Sequence, residues 1–151
     1  MRFLEIDKAA LVARLRELGA EDKGEDALED VICLEKDLTG ESGAKRVLRV
    51  RKRNNLVHVT YKVQRDSVEG TEELELAVSD YDDAVTLLEQ LGYPVLRQQE
   101  KRRHTFVLNG VIVDIDTWPQ VPPYVELEGE SEAALRGAAE QLEFDWETVV
   151  T

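Results

Sequence analysis

The sequence predicts an α+β fold built on an antiparallel β-sheet closed into a barrel, and three observations predict it. Apolar and polar side chains alternate with period two over most of the chain, the spacing of strands that show one face to a core. Asn54-Asn55 and Asn109-Gly110 fall where hairpins would turn, because Asn and Gly tolerate the positive φ of a tight turn. Three other stretches carry the apolar stripe of a helix and end in capping residues.

Taken in order, residues 7–18 read as the first helix. Asp7 can cap it, Leu11, Val12, Leu15 and Leu18 form its stripe, and Gly19 sits where a C-terminal glycine belongs. Strand patterns follow near residues 31–35, 46–53, 56–65 and 71–78, with 39–43 (Thr-Gly-Glu-Ser-Gly) as a loop tip. The second helix, 80–91, turns Ala84, Val85, Leu87, Leu88 and Leu91 inward and stops at Gly92 and Pro94. Strands near 95–108, 111–118 and 124–128 come next, the last after a rigid connection through Pro119, Pro122 and Pro123. The third helix starts at Ser131 and gathers Leu135, Ala138, Ala139 and Leu142 on one side. Hairpins dominate, so the sheet is antiparallel. No linker or repeat divides residues 1–151, which read as one domain.

Composition narrows the functional classes. The chain has 151 residues, 42% hydrophobic and 34% charged, with a net charge of −13. Such a chain repels nucleic acid at long range, although a local basic cluster can still take a small anion. Cys33 is the single cysteine, which excludes an internal disulfide and fits a reducing, cytoplasmic compartment. No apolar run approaches the ~20 residues that span a bilayer, and no signal peptide is expected.

The informative feature is which residues alternate. Residues at i and i+2 point to the same side of a strand. One side therefore carries Arg49, Arg51, Lys62, Lys101 and Arg103, together with Glu73, Glu75, Asp114, Asp116, Glu126 and Glu128. A solvated sheet face alternates in the same way and accounts for any single pair. The repetition is harder to explain so: Arg-x-Arg, Glu-x-Glu, Lys-x-Arg, Asp-x-Asp and Glu-x-Glu all match in sign. Like charges two apart repel, which suggests a ligand that neutralises them. Arg and Lys suit phosphate oxygens, and clustered carboxylates suit Mg²⁺ or Mn²⁺. Both together describe a metal–polyphosphate site. His58, His104 and Cys33 lack zinc-ligand spacing, and no phosphate-binding glycine loop or nucleophile elbow is present. Trp118 and Trp146 read as packing residues, and Tyr124 as either packing or stacking.

These motifs resemble the CYTH superfamily of triphosphate tunnel metalloenzymes, which includes class IV adenylyl cyclases and thiamine triphosphatases. The resemblance rests on Phe3-Leu-Glu-Ile-Asp7, Leu48-Arg-Val-Arg51, Thr60-Tyr-Lys62, Glu72-Glu-Leu-Glu75, Lys101-Arg-Arg103, Val113-Asp-Ile-Asp116 and Tyr124-Val-Glu-Leu-Glu-Gly129. It implies an eight-stranded antiparallel barrel forming a tunnel, with the charged face inside. Arg49, Arg51, Lys62, Lys101 and Arg103 would then bind phosphate. Glu126, Glu128, Asp114, Asp116 and Glu75 would face Mg²⁺ or Mn²⁺, with Glu73 and Lys62 in catalytic roles. The sequence departs from the family's first-strand Glu-x-Glu-x-Lys motif: Arg2 stands at or near the lysine, and both glutamates are absent. The family also continues past the third helix, where this chain stops at Thr151. The barrel is therefore expected to be incomplete at its first strand.

The reaction expected is metal-dependent hydrolysis of inorganic triphosphate, a nucleoside triphosphate or thiamine triphosphate. Cyclisation of ATP to cyclic AMP, non-catalytic polyphosphate binding, and a structural domain with a solvated charged face are the alternatives. The partner expected is a small-molecule triphosphate, not nucleic acid or membrane; a homodimer is left open.

Overall fold

The computed structural model describes residues 1–38, 44–64 and 71–150. Its strands are β1 (Arg2–Phe3), β2 (Glu21–Leu38), β3 (Ala44–Arg53), β4 (Leu56–Gln64), β5 (Glu72–Val78), β6 (Arg97–Leu108), β7 (Val111–Trp118) and β8 (Val121–Glu128). Three helices accompany them: α1 (Lys8–Glu17), α2 (Tyr81–Gln90) and α3 (Glu132–Gln141). The strands form one antiparallel sheet in the order β1-β8-β7-β6-β2-β3-β4-β5. Its ends are β1 and β5, and no ladder joins them among the described residues. The first strand is where the ladder is short. β1 pairs only Arg2 with Glu126 and Phe3 with Val125. Its outer edge is satisfied by Val150, which exchanges two backbone hydrogen bonds of 2.9 Å with Arg2, so it presents no bare donors there.

Two compact units emerge: Met1–Ala27 with Lys101–Thr151, and Leu28–Glu100. Each has its own core. In the first unit α1 contributes Leu11 and Leu15, and α3 contributes Leu135, Ala138, Ala139 and the capping Leu142. They pack on Phe106, Leu108, Val111, Val113, Ile115, Val125 and Leu127. Asp7 and Ser131 cap the two helices through the backbone N–H of Ala10 and Ala134, as the sequence predicts. The second unit packs Ala84 of α2 on Val31, Cys33, Leu48, Val50 and Val57, with Tyr81, Val85 and Leu88 partly buried beside it. Asp80 caps α2. Leu87 and Leu91 do not face inward as expected; they are largely exposed. The inward stripe is Tyr81, Ala84, Val85 and Leu88, at i, i+3, i+4 and i+7. Leu87 flanks it, and Leu91 is the C-cap beyond it.

Several strand boundaries differ from expectation, two of them for identifiable reasons. β2 begins at Glu21 rather than 31, because its first half (Glu-Asp-Lys-Gly-Glu-Asp) holds no apolar alternation to read. β6 begins at Arg97 rather than 95. β8 begins at Val121 rather than 124 and contains Pro122 and Pro123. The ladder shifts register between Asp116 and Trp118, and β1 pairs only further along β8. The prolines thus sit where their missing N–H groups cost no ladder bond. The Asn109-Gly110 turn has both residues at positive φ, 50° and 83°, the requirement of a two-residue type I′ hairpin. The expected loop tip 39–43 and the expected strand end at residue 65 lie outside the described residues.

Candidate functional site

In the first unit the register of β6, β7, β8 and β1 sets charges opposite one another. Arg103 pairs with Asp116, and Asp114 with Glu126, which pairs with Arg2. The Lys-x-Arg doublet of β6 therefore lies beside the Asp-x-Asp doublet of β7. Arg103 donates from Nε to Asp116 Oδ1 and from Nη2 to Asp116 Oδ2, both at 2.7 Å. It also donates from Nη1 to Asp114 Oδ2 at 2.7 Å and from Nη2 to Glu126 Oε2 at 2.9 Å. Those bonds use four of the five N–H donors of a guanidinium. Lys101 Nζ adds a 2.5 Å bond to Asp116 Oδ2, Thr105 donates to Asp114, and Arg2 donates to Glu126 Oε1. Asp116 is fully buried, and Lys101, Arg103 and Asp114 nearly so. Two aromatic rings complete the cluster: Lys101 lies 5.3 Å from the Trp118 centroid, and the Arg2 guanidinium 5.0 Å from that of Tyr124.

Burial alone would push the Asp116 and Glu126 carboxyls up. For Asp116, the hydrogen bonds and charges of Arg103 and Lys101 outweigh burial and hold the carboxyl below its ordinary range. Arg2 and Arg103 do the same for Glu126. Burial and the nearby Asp116 charge push the Tyr124 phenol up to about 12. Carboxyls depressed in the folded state contribute stability above their unfolded pKa, near 4, and that contribution is lost as pH falls through the depressed values. Thermal unfolding of the wild type should therefore lose midpoint below about pH 4, and Asp116→Asn should flatten that acid limb. A limb unchanged in the variant would show that the stability resides elsewhere.

The second unit presents a different arrangement. Opposite one another across its ladders are Asp30 and Arg51, Arg51 and His58, Arg49 and Thr60, Thr60 and Glu75, and Lys62 and Glu73. Arg51 donates from Nε and Nη2 to the two oxygens of Asp30, each at 2.7 Å, in a planar fork. Lys62 Nζ lies 3.8 Å from Glu73 Oε2, and both side chains are about 40% exposed. Glu75 accepts from Thr60 at 3.3 Å and lies 4.0 Å from His58 Nε2. Asp30, which is buried almost completely, does not stand out in the sequence, because no i+2 partner of like charge marks it. Replacing Asp30 with Asn keeps the shape and one acceptor but removes the charge from both bonds. The expected cost is about 2 kcal/mol of stability, measurable by denaturant unfolding; a cost below about 0.5 kcal/mol would match an exposed pair instead.

The structure thus brings together Lys101, Arg103, Asp114, Asp116 and Glu126 in one unit, and Arg49, Arg51, Lys62, Glu73 and Glu75 in the other. Glu128 shares the face of Glu126 but pairs with Ile112 and is exposed. The donors near Arg103 are right in kind for Mg²⁺, being carboxylate oxygens, but each of the three carboxylates is already engaged by a cation. No group of three or more His, Cys, Asp or Glu side chains among the described residues is arranged to hold a metal. As it stands, the cluster does not fit a resident divalent ion.

Comparison with solved structures places this architecture. A protein of Pyrococcus horikoshii superposes with a TM-score of 0.82 at 23% identity, covering 99% of this chain and 94% of its own. A candidate adenylate cyclase of Vibrio parahaemolyticus gives 0.68 at 17% identity, over 94% of this chain and 82% of its own. An adenylyl cyclase-like protein of Hippeastrum with a dominant triphosphatase activity gives 0.60 at 11% identity, over 95% and 87%. No curated protein matches in sequence. No helix among the described residues is long and apolar enough to cross a membrane. The family model of the CYTH domain matches residues 2–148, and the chain belongs to that family.

Proposed function

We propose that this protein binds and hydrolyses a triphosphate, either inorganic triphosphate, a nucleoside triphosphate or thiamine triphosphate. The observation that carries the reading is the cationic face of the second unit, where Arg51 is held in plane by Asp30 beside Arg49 and Lys62. A guanidinium fixed in orientation before its ligand arrives loses less freedom on binding a phosphate oxygen. Membership of the CYTH family supports the substrate class, and the triphosphatase activity of the Hippeastrum neighbour supports the reaction. The cations disperse the charge that develops on the transferring phosphoryl group. Glu73, beside Lys62, orients the attacking water. Mg²⁺ or Mn²⁺ enters as the counter-ion of the triphosphate, as part of the substrate. A single cysteine fits a reducing compartment, the cytoplasm.

The test is turnover. The purified protein is incubated with Mg²⁺ or Mn²⁺ and each triphosphate, and phosphate release is measured. With ATP, the products separate hydrolysis (ADP and phosphate) from cyclisation (cyclic AMP and pyrophosphate). Saturable binding without turnover would leave a polyphosphate-binding module. Neither binding nor turnover would sink the reading.

A further inference from the structure

Three carboxylates around a single guanidinium, two of them buried, are more than phosphate binding asks for. We propose that the Arg103 guanidinium is the resident cation of the Asp114–Asp116–Glu126 cluster, where it closes a divalent-metal site those carboxylates would otherwise form. The geometry is that of an occupied site. Arg103 spends four N–H donors on the three groups at 2.7–2.9 Å. Lys101 and Arg2 take further oxygens of Asp116 and Glu126. Charge agrees with geometry. Arg2, Lys101 and Arg103 balance Asp114, Asp116 and Glu126 one for one, so a dication added to the intact cluster would bring uncompensated charge into a buried place. Without Arg103 the same cluster carries one net negative charge, and each of its three carboxylates regains an oxygen that Arg103 had engaged, the hard donor a divalent ion takes. Arginine stays protonated in proteins, so pH does not open the site.

The inference rests on the triphosphate reading for its consequence. If the cluster has no resident metal, the ion reaches the reaction only with the triphosphate. The rate then follows the concentration of the metal–triphosphate complex and is flat in excess free metal.

The inference is tested without any triphosphate, so its failure and that of the hydrolysis reading are distinguishable. Mn²⁺ is titrated into the protein, and free Mn²⁺ is followed by electron paramagnetic resonance. The wild type should show no saturable site at millimolar Mn²⁺. Weak uptake that survives Asp116→Asn belongs to surface carboxylates and agrees with this. Arg103→Met should gain one saturable site, and adding Asp116→Asn should remove it. Should Arg103→Met fail to fold, Arg103→Gln removes the same positive charge while keeping a polar side chain among the carboxylates, and should gain the site with weaker binding. Saturable Mn²⁺ binding by the wild type that Asp116→Asn abolishes would overturn the proposal. So would the absence of any gain in whichever variant folds.

Discussion

Arg103→Met should cost about 3–5 kcal/mol of stability, the range for removing one partner of a buried ion pair. For a chain of this length that corresponds to a fall in unfolding midpoint on the order of 10 °C. The side chains exchanged are similar in length, so little of the loss is packing. The loss arises because the buried Asp114 and Asp116 and the half-buried Glu126 keep their places while losing the guanidinium they share. The pH response should invert as a consequence. In the wild type the Asp116 and Glu126 carboxyls sit low, and protonating them costs stability. Without Arg103, burial and mutual repulsion raise them above their unfolded values, so the variant should gain stability as pH falls toward 4. Arg103→Lys should fall between the two, because an ammonium is a point charge and cannot span three carboxylates. Equal stability of Arg103→Met and wild type across pH 4–8 would show that the cluster contributes nothing.

What the sequence revealed, and what it hid, follows from where the information sits. β7 could be read residue by residue. Val111, Val113 and Ile115 alternate with Asp114 and Asp116, and the first three enter the core while the aspartates face Arg103. All three helices were legible from their caps, since a capping side chain is a local device. The first half of β2 was not. Its charged residues pair with β6 side chains, Asp22 with His104 and Glu25 with Arg102, so neither face shows an apolar period. β1 was equally hidden, because two residues cannot display a period and its pairing with β8 is set by distant chain.

The charged face was legible as a set, but the reason for its pattern was only half legible. Matched doublets suggested a ligand that neutralises them. In the structure the doublets of neighbouring strands also neutralise each other, Lys101 and Arg103 against Asp114 and Asp116, and Lys62 against Glu73. Sign along one strand is a sequence property, whereas sign across strands depends on register. That is why Asp30, opposite Arg51, escaped notice. The resemblance expects Arg103 to grip phosphate; among the described residues its hydrogen bonds go to three carboxylates. Arg49, Arg51 and Lys62 therefore carry the test of the ligand.

Replacing Arg49 and Arg51 together with Ala should weaken triphosphate binding by roughly 100- to 10,000-fold, taking about 1.5–3 kcal/mol for each charge-assisted hydrogen bond removed. The double variant needs a companion change, because Arg51→Ala alone strands the buried Asp30 carboxylate. Asp30→Asn relieves that, and the triple variant should fold well enough for calorimetric titration. Two features separate direct ligation from general electrostatics. The affinity of the wild type should fall steeply with salt, and the variant should show a shallower dependence, because fewer cations are in play. Arg51→Lys keeps the charge but not the fork on Asp30, so its affinity should fall between the other two. A solvated face without a ligand predicts no saturable triphosphate binding by the wild type and no change in any variant. A change confined to the triple variant's stability, with wild-type affinity retained, would assign Arg49 and Arg51 to the fold and remove them from the site.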